Sequence, residues 1–425
     1  MQNQKIKNMV HIGLAYLGVI IGAGFASGKE MLQYFVSFGK WGIVGLCLSA
    51  LLFIVGGVIL LQFGSYYKAQ EHSEVFNNIS SPFVSNPFVS KVIDFIINFN
   101  LFCTGFVMIA GAGTNLNQQF DWPIWIGALL LSILVIATAY LDVDKVTTLI
   151  GAITPFVIIF LIALLIYTLV QQPLSFDEAM AISWSQETTL PNWFISTINY
   201  SCLALMLAMS MAMVIGGEQY SPKQAGVGGF FGGALVTLLL FASFFSISLN
   251  INSVASSSMP LLELYNKVHP LLGTLMALII FGMIYNTAIG TYYALAKRVV
   301  RTKPQYFSKA MIILVVLGFA LSFIGFETLV AYLFPLIGYL GIFVMALLII
   351  QWLLRYRKIH RENKIRDRLI KHEIDRIDEE YDFDTRDKKH MERLYDESNV
   401  ENKQLKAEVQ ELGKTIYEEE NNTEE

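Results

Sequence analysis

The chain contains few charged residues and few cysteines. Of its 425 residues 15% are charged and 54% are hydrophobic, a balance that excludes a soluble globular protein of this length. Its three cysteines, Cys47, Cys103 and Cys202, lie in apolar runs, so we expect neither a structural disulfide nor a thiolate metal site. A phosphate-cradling Gly-x-x-x-x-Gly-Lys run, a nucleophile elbow and paired zinc ligands are also missing. The sequence therefore predicts neither an ATP-driven module nor an enzyme, and we expect no cofactor and no nucleic-acid partner.

The apolar residues form long runs that predict about ten transmembrane helices, with the lipid bilayer around them. The runs cover approximately 9–34, 42–66, 92–114, 123–141, 146–170, 193–217, 226–249, 271–295, 310–326 and 328–354. The first run is too long for a cleavable signal peptide and is expected to stay as the first helix. This pattern predicts an all-α integral membrane protein whose core, residues 1–354, has two halves of about 9–170 and 193–354.

Basic residues flank one side of the predicted helices. Lys5, Lys68 and Arg298 fall on that side if the helices alternate, whereas the connection 171–192 on the other side contains no Lys or Arg. By the positive-inside rule both termini are cytoplasmic. We expect a multi-pass protein of the bacterial cytoplasmic membrane.

A cluster of small residues interrupts the first apolar run near its middle. Gly22-Ala23-Gly24-Phe25 is followed closely by Ser27 and Gly28, and each glycine costs roughly 1 kcal/mol in a helix interior. Unwound backbone at membrane depth survives only against a protein-lined cavity. The cluster therefore predicts a broken helix at a binding site, with Gly22, Ala23, Gly24 and Phe25 against the substrate.

A second break is predicted in the sixth helix, at Ala208-Met209-Ser210. Five helices entering from one side and five from the other predict an inverted repeat, and these residues lie where the partner of the first break would fall. Asn100 and Thr104 of the third helix reach the same depth and are expected to line the same cavity. Phe25 and four tyrosines are aromatic candidates for closing the site, the tyrosines being Tyr16, Tyr34, Tyr200 and Tyr285.

Two motifs carry a family resemblance. The run from Gly22 to Glu30, Gly-Ala-Gly-Phe-Ala-Ser-Gly-Lys-Glu, resembles the signature of the bacterial YkvI-like membrane proteins. The run from Glu218 to Pro222 is similar to the element that ends the sixth helix of amino-acid permeases. The ten-helix plan resembles the LeuT-type fold of the amino acid–polyamine–organocation superfamily. This resemblance covers about 9–354 and implies a secondary transporter with a five-plus-five inverted repeat and with helices 1 and 6 broken.

The broken helices and the resemblance together suggest the cargo and the coupling ion. Free N–H groups at one half-helix and free carbonyls at another suit the carboxylate and ammonium of an amino acid. In the LeuT-type pattern one sodium lies between first-helix carbonyls, here Gly18 and Ile21, and eighth-helix oxygens, here Asn286 and Thr287. The matching position of the second sodium is Phe25, so a second sodium is not expected. We expect a transporter of an amino acid or related small amine, with sodium favoured for coupling.

Three carboxylates support an alternative in which a proton is the coupling ion. Glu30, Asp94 and Glu218 each lie near a predicted helix end, where a carboxylate is paired, faces water or takes up a proton. Each is therefore a candidate proton carrier or gate residue, and a proton-coupled transporter remains open.

Residues 355–425 form a charged tail that differs abruptly from the core. Its first part is basic and is expected to lie against anionic lipid headgroups. Leu405, Val409, Leu412 and Ile416 repeat at helical spacing and predict a short helix–helix seam. The tail is expected to be helical and cytoplasmic, and three roles stay open: a solvated helix, a homodimer contact or a contact with a cytoplasmic partner. A small-molecule sensor that kept the transporter fold and signals through this tail is the rival function.

Overall fold

The computed structural model describes residues 2–70, 74–76, 87–140, 154–378, 381 and 383–421, with the backbone alone at 2–7, 23, 87–90, 154 and 419–421. The predicted span 146–170 lies partly outside the described residues. The described elements are helical, in this order: α1 Gln2–Ile20, α2 Ala23–Ser27, α3 Lys29–Tyr34, α4 Lys40–Tyr67, α5 Pro87–Phe120, α6 Ile124–Thr138, α7 Thr154–Gln171, α8 Phe176–Trp184, α9 Trp193–Glu218, α10 Pro222–Ser248, α11 Ile251–Val254, α12 Pro260–Val268, α13 Pro270–Val299, α14 Phe307–Ser322, α15 Phe326–Thr328, α16 Phe334–Ile377, α17 Thr385–Glu397 and α18 Asn402–Asn421.

The chain is a multi-pass membrane protein. Among the described residues, seven helices are long and apolar enough to cross a membrane, or eight if the pair α7 and α8, bent by 114°, counts as one span. Two shorter apolar helices, Asn8–Ile20 and Ile124–Thr138, fall below that length. The predicted all-α membrane fold is confirmed, and the predicted count of about ten helices is not.

The first helix is broken where its glycines predicted. α1 ends at Ile20, and α2 starts only after Gly22, whose backbone is extended at φ −95° and ψ −178°. Gly28 then separates α2 from α3 at φ 79°, a left-handed conformation that costs a residue with a Cβ more than it costs glycine. The first helix therefore crosses as three pieces with exposed backbone groups at the first junction.

The predicted break in the sixth helix is wrong. α9 is continuous for 26 residues, from Trp193 to Glu218, and passes through Ala208-Met209-Ser210 without interruption. Alanine and methionine are strong helix formers, and neither glycine nor proline occurs at this depth. Small side chains alone do not break a helix, so this segment offers no free backbone groups.

Close helix contacts hold the core of α1, α4, α9 and α10. A Cβ on Gly229 of α10 would lie 2.5 Å from the carbonyl of Gly57 on α4, so the two backbones touch. Glycine pairs of this kind let helices approach and gain van der Waals contact in a membrane. The result is a tightly packed group against which the broken first helix is held.

Two sides of the molecule can be distinguished. We call the side with the ends of α4 and α9, at Tyr67 and Glu218, the tail side, because α16 continues there into the tail. The opposite side, with Lys29 and Glu327, is called the far side. The change in composition at Leu354 is not a break in the structure, since α16 runs from Phe334 to Ile377.

The tail folds back on the core rather than lying only along lipid headgroups. Arg366 is fully buried, and its guanidinium donates to the carbonyl oxygens of Tyr220 at 2.7 Å and Ser65 at 3.0 Å. Leu405 and Val409, two members of the predicted seam, are buried in a cluster formed by α16, α17 and α18 of the same chain. The seam is thus occupied within the chain, and the expectation for headgroups fails at Arg366, which binds protein carbonyls.

Candidate functional site

A small cavity lies beside the break in the first helix. Its volume is about 30 Å³, enough for a water molecule and too small for an amino acid. The lining comes from the first helix, α5, α9, α13 and the start of α16: Ile20, Gly22, Gly24, Phe25, Glu30, Thr104, Met108, Tyr200, Leu203, Ala204, Leu207, Thr287 and Phe334. Four of the predicted substrate residues, Gly22, Gly24, Phe25 and Thr104, are therefore brought together. At Ala23 only the backbone is described.

The junction between α1 and α2 lies next to α13 and contains main-chain carbonyls without helical donors. The N–H of Gly22 donates to the carbonyl of Ile20 at 2.9 Å, so the helical bond pattern stops before Gly22. The last carbonyls of α1, which include Gly18, and that of Ile21 consequently lack the donors that a continuing helix would supply. A Cβ on Gly22 would lie 4.0 Å from the Thr287 hydroxyl oxygen. Thr287 thus faces the break, whereas Asn286, its neighbour in sequence, is not among the lining residues.

Glu30 is the acidic residue of the cavity lining. Its side chain lies over Gly24, where an added Cβ would overlap the carboxyl group, and only 7% of the residue is exposed. The Tyr200 hydroxyl donates to this carboxyl group, and the two aromatic rings of Tyr34 and Tyr200 are 5.2 Å apart. Glu30 is therefore buried at the site rather than exposed in an outer opening.

The predicted residues of the third and sixth helices divide between the cavity and its surroundings. Asn100 is buried one turn before Thr104, whose hydroxyl approaches its side-chain oxygen at 3.5 Å, but it does not line the cavity. Ala208 and Met209 are buried in the core outside the lining. Ser210 lies one turn further toward the tail side and lines a different space.

That different space is a vestibule of about 560 Å³ on the tail side. Asp94, Asn98, Ser210 and Arg298 line it, and Asp94 is exposed there. Leu207 of the small cavity and Ser210 of the vestibule are three residues apart on α9, which is about 4.5 Å along the helix axis. One helical turn therefore separates the cavity from the vestibule. Glu218, the third predicted carboxylate, is exposed at the end of α9 and lines neither space.

The far side is closed by polar contacts between the first helix and α15. The Lys29 ammonium lies 3.3 Å from the Glu327 carboxylate and donates to the Ser257 carbonyl at 3.2 Å. The Ser258 hydroxyl donates to the same carboxylate at 2.6 Å. Gln33, about one turn after Lys29 on α3, donates to the carbonyl of Ala331 at 3.3 Å. The conformation is therefore closed on the far side and wide on the tail side.

Sequence reasoning missed the wall that α9 contributes. Leu203, Ala204 and Leu207 line the cavity together with Tyr200, at spacings of three and four residues that place them on one helix face. The spacing of these residues can be read from the sequence, but the prediction placed the site at the expected break, residues 208–210. Of the four candidate tyrosines only Tyr200 lines the cavity; Tyr16 and Tyr285 donate to carbonyls of Phe53 and Leu134 elsewhere.

Comparison with known proteins agrees with this architecture. The chain is 28% identical over 342 residues to the uncharacterized membrane protein YkvI of Bacillus subtilis (strain 168), which covers 79% of this chain and 94% of YkvI. The uncharacterized protein YyaD of the same organism is 24% identical over 337 residues, covering 79% and 95%. The chain is therefore similar to YkvI and YyaD over most of its length. No protein-family model matches it.

Solved structures show the same fold. MhsT in complex with L-phenylalanine superposes with a TM-score of 0.54 at 17% identity, covering 78% of this chain and 87% of MhsT. The inward-facing conformation of Mhp1 gives a TM-score of 0.53 at 11% identity, covering 82% and 77%. Mhp1 is a nucleobase-cation-symport-1 family transporter. The predicted LeuT-type fold and the resemblance to YkvI-like proteins are therefore confirmed.

Proposed function

We propose that this YkvI-like protein is a secondary active transporter that moves an amino acid or related small amine by alternating access. The observation that carries the proposal is the broken first helix, which borders a buried cavity containing Glu30, Thr104 and Thr287. Non-helical backbone at membrane depth is tolerated next to a binding cavity, and such sites occur at the broken helices of transporters. The fold shared with MhsT, which binds L-phenylalanine, supports the same class of cargo.

The two unequal sides of the molecule support alternating access. A cavity of about 30 Å³ cannot hold an amine with several heavy atoms, so the walls must separate for binding. Opening toward the vestibule requires movement of about one turn of α9, whereas opening toward the far side requires the Lys29–Glu327 pair to separate. The described conformation is then the one that faces the tail side.

The membrane orientation follows from the basic residues. Lys68, Lys297 and Arg301 belong to the tail side, whereas the far-side connection 171–192 contains Asp177 and Glu178 but no Lys or Arg. The positive-inside rule makes the tail side cytoplasmic. The protein is accordingly proposed to lie in the bacterial cytoplasmic membrane with both termini inside.

Sodium is the proposed coupling ion. Support comes from the carbonyl groups at the end of α1, at Gly18 and Ile21, and from the Thr287 hydroxyl across the break, since hard oxygens suit this ion. Thr287→Val keeps the shape and removes the oxygen, so the sodium dependence of transport should be lost. Asn286→Leu is the matched control, because Asn286 does not line the cavity and its variant should keep that dependence.

The test is transport by the purified protein in liposomes. Transient currents are recorded on a supported membrane for a panel of amino acids and simple amines, each with and without sodium and at two pH values. A sodium-dependent current that is lost in Gly22→Leu and retained in Gly290→Leu supports the proposal, since a Cβ at Gly290 would meet no atom within 4 Å. A current that depends on pH and not on sodium identifies the proton, in place of sodium, as the coupling ion. Unchanged currents in Gly22→Leu refute the site.

A transporter-fold sensor is the second candidate, favoured by the docked tail. Tail residue Arg366 binds the ends of α4 and α9 through the carbonyls of Ser65 and Tyr220, so a movement of these helices is transmitted directly to the tail. Deletion of residues 355–425 discriminates the two functions. Uptake that survives unchanged supports a transporter, whereas intact binding with a lost downstream response supports a sensor.

A further inference from the structure

The side chains that line the cavity include an acidic group but no basic group. Among the described residues that line it, Glu30 is acidic and none is Lys, Arg or His. Lys29 is adjacent in sequence, but its ammonium lies with Glu327 and the Ser257 carbonyl on the far side. None of the ion pairs between described side chains involves Glu30. The site therefore offers a negative group to its ligand and no positive side chain.

One buried hydroxyl group near Glu30 makes no hydrogen bond with the described residues. The titratable side chains that face Glu30 are Tyr200, which donates to it, and Tyr34, with Tyr339 beyond them. The Tyr34 hydroxyl is buried and has no hydrogen-bond partner among the described residues. Buried polar groups without partners are uncommon, and a buried carboxylate needs a cation or a proton beside it. The buried carboxyl group of Glu30 therefore favours a cationic ligand group beside it in the cavity.

The remaining walls are aromatic or apolar. Phe25, Tyr200 and Phe334 line the cavity on different helices and surround the space next to Glu30. Aromatic faces attract organic ammonium groups through the negative charge of their ring faces. A carboxylate next to aromatic rings favours a ligand in which a positively charged nitrogen is attached to an organic group. It disfavours a second carboxylate, which would be repelled by Glu30 and would find no positive side chain in the lining.

We propose that this site is selective for organic ammonium cations that lack a carboxylate, with Glu30 as the counter-ion of the ammonium. This inference rests on the proposed function and narrows its cargo from amino acids and amines to amines alone. Tyr200, which lines the cavity and donates to the carboxyl group of Glu30, holds that group in position. The continuous α9 is consistent with this chemistry, because it supplies no free N–H groups to a ligand carboxylate.

The test compares amines with the amino acids that carry the same side chain. Equilibrium binding to the full-length protein in detergent is measured for 2-phenylethylamine against L-phenylalanine, for isoamylamine against L-leucine and for cadaverine against L-lysine. At least one amine should bind about tenfold or more tightly than its amino acid, because both ligands carry an ammonium but only the amino acid has to bury a carboxylate near Glu30 without a positive side chain. Tighter binding of the amino acid in every pair that binds, or binding of no amine by folded protein, overturns the inference.

Variants separate the charge of Glu30 from its shape. Glu30→Gln keeps the size and the hydrogen bond from Tyr200, and should remove most of the preference for the amine without weakening binding of the amino acid. Glu218→Gln makes the same chemical change at an exposed carboxylate outside the cavity and should keep the preference. Equal losses for both ligands in Glu30→Gln contradict a counter-ion role. The comparison on the unmodified protein remains decisive if the variant does not fold.

Liposome transport distinguishes failure of the inference from failure of the proposed function. An amine that binds selectively but never crosses the membrane leaves the selective site standing and refutes the transporter. Transport that favours amino acids over the corresponding amines refutes the ammonium site and leaves the transporter standing.

Discussion

Replacing Arg366 by methionine should release the tail from the core. The guanidinium of Arg366 is fully buried and binds the Glu362 carboxylate at 2.8 Å, in addition to the carbonyls of Ser65, Tyr66 and Tyr220. Methionine retains much of the volume but none of the donors. These carbonyls and the carboxylate would then be left buried without their main partner.

The free energy of tail docking that is lost depends on the hydrogen bonds that Glu362 keeps in the variant. Breaking a buried ion pair costs about 3–5 kcal/mol, because one charge stays buried alone. Glu362 still accepts from the Ser398 hydroxyl at 2.7 Å and from the Asn399 N–H at 3.2 Å, so we expect the lower value, about 3 kcal/mol. Since about 1.4 kcal/mol corresponds to tenfold, the open tail should become about a hundredfold more populated.

Limited proteolysis of the full-length protein in detergent measures this population, because cleavage within a docked segment follows its local opening. Arg361→Met is the matched control. Arg361 pairs with Glu397, and 69% and 51% of these side chains are exposed, so its loss should change cleavage by no more than about fivefold. Adding Glu362→Gln to Arg366→Met should recover part of the protection by removing the lone buried charge. Equal cleavage of the two single variants would refute the reasoning.

Three further predictions concern the cavity, the far side and the tail. Gly24→Ala places a Cβ on the carboxyl group in the cavity and should abolish amine binding in detergent, whereas Gly290→Ala meets no atom within 4 Å and should leave it unchanged. Lys29→Gln removes the partly exposed pair with Glu327 and should raise amide hydrogen exchange in α3 by up to about fivefold, since such pairs contribute at most about 1 kcal/mol. Backbone N–H groups of the first turn of α17 hold the pKa of Asp384 below its usual range, so this cap is present above the unfolded pKa and is lost as the pH falls through the folded pKa. Hydrogen exchange of α17, corrected for intrinsic rates, should therefore rise at low pH in the native protein and stay flat in Asp384→Asn.

The break in the first helix was predictable because glycine decides it locally. Gly28 has a left-handed backbone that follows from the missing Cβ, and Gly22 and Gly24 lower the helix propensity at the extended first junction. The sixth helix was predicted wrongly because depth and symmetry were used in place of local preference. Ala208 and Met209 favour a helix, and the structure follows that preference.

Side-chain participation was less predictable than backbone shape. Asn286 and Thr287 are adjacent, but neighbouring residues on a helix point about 100° apart, so only Thr287 faces the break. The docking of Arg366 depends on carbonyls near Ser65 and Tyr220, which are distant in sequence and meet only in the fold. Composition predicted a charged helical tail, and it contained no information about which of its charges would be buried.

The continuous sixth helix changes what the binding site must use for recognition. With two breaks, free backbone groups on both helices would hold the two charged ends of an amino acid. With one break, the backbone supplies carbonyl oxygens from the end of α1 and N–H groups from the start of α2, and the continuous α9 contributes to charge recognition through side chains alone. The charged side chain of the cavity lining is Glu30, which sits directly after the second junction of the same broken helix. Binding of a cation to Glu30 would therefore act on α3, and through the adjacent Lys29 on the contact that closes the far side.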